Sequence, residues 1–279
     1  MPDPTKTVLI TGTSSGIGAA TAECLAKAGW RVYAGVRDEA DAPRASNVMP
    51  IVLDVTSTRS IGAAARRVRD ETGGGLDALV NNAGIPGAGP VETVPVKTFR
   101  EVIETNLIGH FAVTQAFLPQ IRDAKGRIVF ISSLGGRVAF PYASPYHASK
   151  WGVEGFAESL RAEMAKLDVD VVIVEPGSMV SEIWAKGRSS LDESRAKLNA
   201  EQRGVYGEAL ASFDEQLESQ EDSEDPSKVA EQVLTALTTG SPSQRYVVGR
   251  GAGTLTRLKG LLPPAVFDRL TQGLASKGS

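Results

Sequence analysis

The chain has 279 residues, 42% hydrophobic and 23% charged, with a formal net charge of −3. That composition fits a globular protein and excludes a general polyanion binder, so no nucleic-acid partner is expected. A single cysteine, Cys24, excludes an intrachain disulfide, and two histidines, His110 and His147, leave no Cys/His metal cluster.

The N-terminal segment MPDPTKTVLI lacks a basic stretch followed by a long apolar one, so no secretory signal is expected. No run of about 18 apolar residues occurs, so no membrane span is expected and the cytoplasm is the default compartment. The first apolar run, 7–10, leads straight into Thr11-Gly12-Thr13-Ser14-Ser15-Gly16-Ile17-Gly18, and a helical pattern covers 16–28. Glycine permits a sharp turn and close approach to a ligand, and the helix N-terminus offers unpaired N–H groups to a pyrophosphate. After a first strand this loop is a strong dinucleotide signal. Gly12, Ser14, Ser15, Gly16, Ile17 and Gly18 are therefore expected cofactor contacts. Cys24, in the alanine-rich TAECLAKAG, is expected to be a buried structural thiol.

The second run, 31–36, ends at Val36-Arg37. Cofactors with a free 2′-hydroxyl are usually met at this place by an acidic side chain, whereas a guanidinium matches a phosphate. Arg37 thus favours NADP(H) over NAD(H), with Asp38 the competing ribose partner. Further strands are expected at 50–53, 78–81, 127–132, 169–174 and 245–248, alternating with helices at 57–71, 97–123, 144–166 and 227–239. This alternation predicts a doubly wound parallel sheet of about seven strands. Asn82-Ala83-Gly84 closes the fourth strand, where small residues and an amide suit close approach to a cofactor. Asn106 sits inside a helical stretch that asparagine does not favour, which suggests a polar duty. Ser133 closes the fifth strand, whose end points into the cofactor crevice. Tyr146 and Lys150 are four apart and share one helix face. A tyrosine pKa of about 10 is too high for neutral acid/base work, and an ammonium neighbour is expected to lower it.

These motifs, in this order over about residues 5–250, resemble the short-chain dehydrogenase/reductase family. The likeness extends to Asp54 in LDVT, to Asn81 to Gly84 and to the Pro176-Gly177 turn. It implies a Rossmann-like, three-layer α/β/α domain and a nicotinamide-dependent oxidoreductase acting on CH–OH groups. Tyr146 would be the acid/base and Ser133 would orient the reacting oxygen. Lys150 would hold the nicotinamide ribose and depress the tyrosine pKa, and Asn106 would hold a relay water. Asp54 and Val55 would flank the adenine, and Asn82 and Gly84, with Ala83 between them, the ribose side. The backbone after Pro176-Gly177, including Met179, would meet the nicotinamide amide, with Ser181 where the family often has threonine. The resemblance also implies a homodimer or homotetramer through the helices at 97–123 and 144–166.

Substrate contacts are expected from 85–92 and 178–187. Val138, Phe140, Tyr142, Met179, Trp184, Tyr206 and Phe213 offer apolar surface, so a hydrophobic ketone or alcohol of sterol, retinoid, fatty or polyketide type is expected. One domain covers 1–279. Residues 182–225, polar and partly helical, are expected to form a substrate lid ending in an acidic, solvated run, and 251–279 a tail packed on the body or on a neighbouring subunit. The alternative is a catalytically silent NADP-sensing regulator on the same fold.

Overall fold

A computed structural model describes residues 5–219 and 223–275. Strands β1 (Thr7–Thr11), β2 (Arg31–Val36), β3 (Val48–Val52), β4 (Ala78–Asn81), β5 (Arg127–Ile131), β6 (Asp170–Pro176) and β7 (Arg245–Val248) form one sheet. All neighbouring pairs are parallel, in the order β3-β2-β1-β4-β5-β6-β7. The helices are α1 (Gly16–Lys27), α2 (Thr58–Thr72), α3 (Val96–Ile103), α4 (Gly109–Asp123), α5 (Ser144–Met164), α6 (Glu182–Ala196), α7 (Ala200–Ser219), α8 (Ser227–Thr238), α9 (Ala252–Leu261) and α10 (Pro264–Ala275).

The central strands are apolar on both faces because each face carries helices. Side chains alternate along a strand, so Leu9, Leu79, Ile128 and Phe130 join a core with Ile61, Val68, Phe117 and Leu160 of α2, α4 and α5. Val8, Ile10, Val80 and Val129 point the other way, onto Leu25 of α1 and Val229 and Val233 of α8. The strand order reverses at β1 and β4. Their C-terminal ends therefore open a crevice where this architecture binds ligands.

Three expectations are corrected. The helix expected over 97–123 is interrupted by a π turn, Glu104–Ile108, which carries the fully buried Asn106; such bulges often mark functional positions. Residues 182–225 are mostly two long helices, α6 and α7, packed around Leu191, Leu198, Leu210 and Leu217. Their acidic end is not merely solvated: Asp214 accepts from Arg188 at 3.2 Å and from Arg195 at 2.8 Å. Residues 220–222 of that run lie outside the described residues. Cys24 is only half-buried, and burial raises its thiol pKa, with Glu231 adding to the effect. Within the tail, the Lys259 ammonium lies 4.0 Å from the centre of the Trp151 ring, and Phe267 is buried.

Candidate active site

The turn between β1 and α1 is shaped by its neighbours. Thr11 Oγ1 accepts from the backbone N–H of Asn82 at 2.9 Å and of Ala83 at 3.0 Å. The Asn82 side-chain amide donates to the carbonyls of Thr11 and Gly12, both at 2.9 Å. Asn82 thus acts here by locking the glycine loop. Gly12 has φ 69°, and a Cβ on Gly18 would lie 2.1 Å from the Gly12 carbonyl oxygen, so neither position has room for a side chain. Ser15 precedes α1 and its hydroxyl does not cap it, which leaves the helix N–H groups facing the crevice.

The crevice is a cleft of about 750 Å³. Gly12, Ser14, Ser15, Ile17 and Gly18 line its phosphate end, and Gly16 stands against Ser181. Arg37, Asp54 and Val55 line the side beyond β2 and β3, with Asn82, Ala83 and Gly84 at the end of β4. Pro176, Gly177, Met179 and Ser181 line it after β6. Arg37 is exposed and makes no hydrogen bond or ion pair among the described residues. Asp38 turns away, capping the short turn Glu39–Asp41 by accepting from Ala40 N at 3.0 Å. Asp54 accepts from the backbone N–H and hydroxyl of Thr56 at 2.9 and 2.7 Å, which fixes its carboxylate at the rim. Ser181 caps α6 through Ile183 N at 3.3 Å. A long cleft with a glycine cradle, a helix N-terminus and a free guanidinium fits an extended dinucleotide.

Ser133, Tyr146 and Lys150 line the same cleft. Ser133 caps the turn Leu134–Gly136, accepting from Gly135 N at 3.0 Å. Tyr146 stands in the first turn of α5, part-open to the cleft. The sequence-based expectation for its acidity is reversed: burial pushes the phenol up, opposed by a hydrogen bond with Ser133. The Lys150 ammonium donates to the Ile131 carbonyl at 2.8 Å and lies 5.8 Å from the tyrosine ring centre. Lys150 is itself buried, which brings its pKa down to about 8 against the opposing pull of Glu154.

The Asn106 amide sits in a network of its own. It donates to the Ile85 carbonyl at 2.9 Å and to Ser149 Oγ at 3.0 Å, and accepts from Ile85 N at 2.8 Å. Both amide hydrogens are used, so its side chain clamps the loop after β4 to α5. Ser149, absent from the sequence reading, passes this clamp to the Tyr146 carbonyl at 2.7 Å. His147 was also missed as a positioning group. Its Nδ1–H donates to the Gly135 carbonyl at 2.9 Å, and its Nε2 accepts from Phe140 N at 3.0 Å.

Of the apolar residues expected around the substrate, Met179, Trp184 and Phe213 line the cleft, joined by Leu217. Val138 is buried outside it, and Phe140 packs on His147. Tyr142 packs on Phe213, and the Tyr206 hydroxyl donates to Glu92 at 2.8 Å.

A family model described as short chain dehydrogenase matches residues 6–192. The chain belongs to the short-chain dehydrogenase/reductase family. It is an oxidoreductase of that family acting on CH–OH groups, built on the family's Rossmann-like sheet. Among its relatives, a mitochondrial D-beta-hydroxybutyrate dehydrogenase of Bos taurus is 38% identical over 267 residues, which span 88% of this chain and 77% of the relative. Retinol dehydrogenase 16 of Mus musculus is 36% identical over 277 residues, 95% of this chain and 87% of the relative. A short chain dehydrogenase from Burkholderia cenocepacia, solved in complex with NADP, superposes with a TM-score of 0.75 at 26% identity, covering 97% of this chain and 99% of that one.

Proposed function

We propose that this oxidoreductase interconverts a hydrophobic ketone or aldehyde and its alcohol, prefers NADP(H) to NAD(H), and uses Tyr146 as the acid/base. The observation that carries the reading is the meeting of Ser133, Tyr146 and Lys150 in one cleft with the glycine cradle and the apolar side chains of Trp184, Phe213 and Leu217. When bound, the nicotinamide supplies or takes up the hydride at the carbonyl carbon. Ser133 and Tyr146 hold the substrate oxygen. In reduction Tyr146 gives its proton to that oxygen, and its raised pKa keeps it protonated and ready as an acid at neutral pH. In oxidation the Tyr146 phenolate oxygen takes that proton from the substrate hydroxyl, and in either direction the Lys150 ammonium and the Ser133 hydroxyl favour the phenolate.

The NADP preference rests on Arg37, unpaired at the cleft edge, and on Asp38 being occupied by its own cap. Asp54 and Val55 are assigned to the adenine, and Asn82, Ala83, Gly84, Pro176, Gly177, Met179 and Ser181 to the ribose and nicotinamide side. Helices α6 and α7 are assigned as a lid, since they carry the apolar wall. That wall favours a retinoid-, sterol- or fatty-type substrate over the short hydroxy acid named for the hydroxybutyrate relative. Ile108, Phe111 and Trp151, 44%, 49% and 46% exposed on the π turn, α4 and α5, support a homodimer or homotetramer. No helix among the described residues is long and apolar enough to cross a membrane. The expected compartment is the cytoplasm, which fractionation of expressing cells tests.

The deciding assay follows NADPH and NADH oxidation over a panel of ketones and aldehydes graded in size. The reading expects turnover of bulky apolar carbonyls with NADPH preferred. Cofactor binding without turnover of any carbonyl would instead indicate the silent sensor, a reading the intact Ser133, Tyr146 and Lys150 disfavour.

A further inference from the structure

Behind Lys150 lies a buried cluster of charges that the reaction as described does not use. Glu154 stands one helical turn beyond Lys150 on α5 and is 6% exposed. The Arg245 guanidinium of β7 binds Glu154, Glu175 of β6 and, at the outer edge, Glu158. Arg137 reaches Glu175 at 3.3 Å, and Glu175 is fully buried. Ser132, between the carbonyl that holds Lys150 and the cleft serine Ser133, is buried too. Its hydroxyl and Glu154 Oε1 both lie against Gly136, where an added Cβ would stand 2.6 and 3.1 Å from them.

The half-buried Arg245 guanidinium is shared by two buried carboxylates, Glu154 and Glu175, an arrangement with little folding advantage over apolar packing, so its position beside a functional lysine asks for another reason. Lys150 and Glu154, four apart on a helix, have Cβ atoms about 5–6 Å apart. Charge at that range, out of water, is felt strongly. The other charged or titratable groups around the pair are Tyr146, Glu158 and Arg161 on α5, Glu175 on β6, Arg245 on β7, Arg137 after the short turn, His110 on α4 and Lys259 on α9. Arg245 is shared between Glu175 and Glu154, and of these carboxylates Glu154 is the one on α5, one turn from Lys150, so its field is the one that reaches the lysine.

We infer that Glu154 is a positioning residue for the reaction: anchored by Arg245, its carboxylate keeps the buried Lys150 in the ammonium form that the tyrosine needs. The inference rests on the function proposed above. Burial alone drives Lys150 toward neutrality, and Glu154 opposes it. Burial likewise pushes the Glu154 carboxyl up, while Arg245 draws it back toward its charged form. The cluster thereby sets the pH above which carbonyl reduction fails.

The test titrates the Lys150 Cε resonance in the full chain labelled with carbon-13 lysine, assigned by its loss in Lys150→Arg, alongside the pH profile of carbonyl reduction. Glu154→Gln is expected to lower the Lys150 pKa, and with it the alkaline limb of kcat/KM, by about one unit. Glu175→Gln removes the same charge from the same arginine and is expected to move the lysine much less. Should Glu154→Gln not fold, Glu154→Met, which fills the space with an apolar chain, is read the same way. Equal lysine titration in wild type and the folded Glu154 variant, or an equal shift from Glu175→Gln, overturns the inference. Failure of wild type to turn over any carbonyl overturns the proposed function instead, and the resonance titration still decides the role of Glu154.

Discussion

Replacing Arg37 by alanine separates the two nicotinamide cofactors with little confounding. The side chain is exposed and unpaired among the described residues, so its loss strands no partner and breaks no core packing. Fold stability should stay within about 0.5 kcal/mol, as for surface substitutions generally. Any change in NADPH binding then comes from the missing contact with the 2′-phosphate. A charge-assisted hydrogen bond contributes about 1.5–3 kcal/mol, and partial solvent exposure places this one near the lower end. About 2 kcal/mol corresponds to a roughly 30-fold rise in the NADPH Kd. NADH lacks the phosphate, so its Kd should not move. Fluorescence titration of the two reduced cofactors reads both numbers, and the NADPH difference should shrink with added salt. Equal loss for both cofactors, or for neither, refutes the assignment of Arg37 to the 2′-phosphate.

Glycine substitutions sort the cradle from the surface. Gly18→Ala puts a methyl 2.1 Å from the Gly12 carbonyl and 2.5 Å from the Asn82 amide. The loop must yield by about 1 Å, a misplacement expected to weaken cofactor use by roughly 100-fold. Gly204→Ala, in α7 with nothing within 4 Å, should instead add about 0.5–1 kcal/mol to stability in denaturant melts. His110 is fully buried, hydrogen-bonded to the Ala83 carbonyl at 2.8 Å, and held by burial near a pKa of about 3. Its folded pKa lies below the unfolded value of about 6.5, so the unfolded state binds more protons between the two. Stability is therefore lost as pH falls through that window, by about 2 kcal/mol at pH 5. His110→Gln should flatten this decline in urea midpoints measured from pH 7 to 5.

Much of the fold was legible because short continuous apolar runs, alternating with helical patterns, follow directly from two-sided burial of a parallel sheet. Strand β2 and strands β4 and β7 have the bounds expected from their apolar runs. Strand β3 starts earlier, at Val48, and carries Pro50; it is tolerated because β3 pairs only with β2 at the sheet edge. Helices α6 and α7 were obscured by polar composition, since their few buried leucines face each other and not the sheet. The π turn left no sequence mark beyond an asparagine in a helical stretch. The positions of Tyr146 and Lys150 were legible from their spacing, but their acidities were not. Spacing places two residues on one helix face, yet it does not reveal that the ammonium bends to the Ile131 carbonyl or how deeply each is buried. Arg245 lies 91 residues from Glu154, and only the folded sheet brings them together. The glutamate itself, four residues past Lys150, was the available clue.

The central claim is that the Tyr146 hydroxyl carries the proton. Single-turnover reduction of a bulky ketone by the Tyr146→Phe variant, with its NADPH affinity measured in parallel, tests that most directly. The account predicts a chemical step slower by about 10²- to 10⁴-fold with cofactor binding unchanged. A phenylalanine variant that reduces the ketone at the wild-type rate would contradict it.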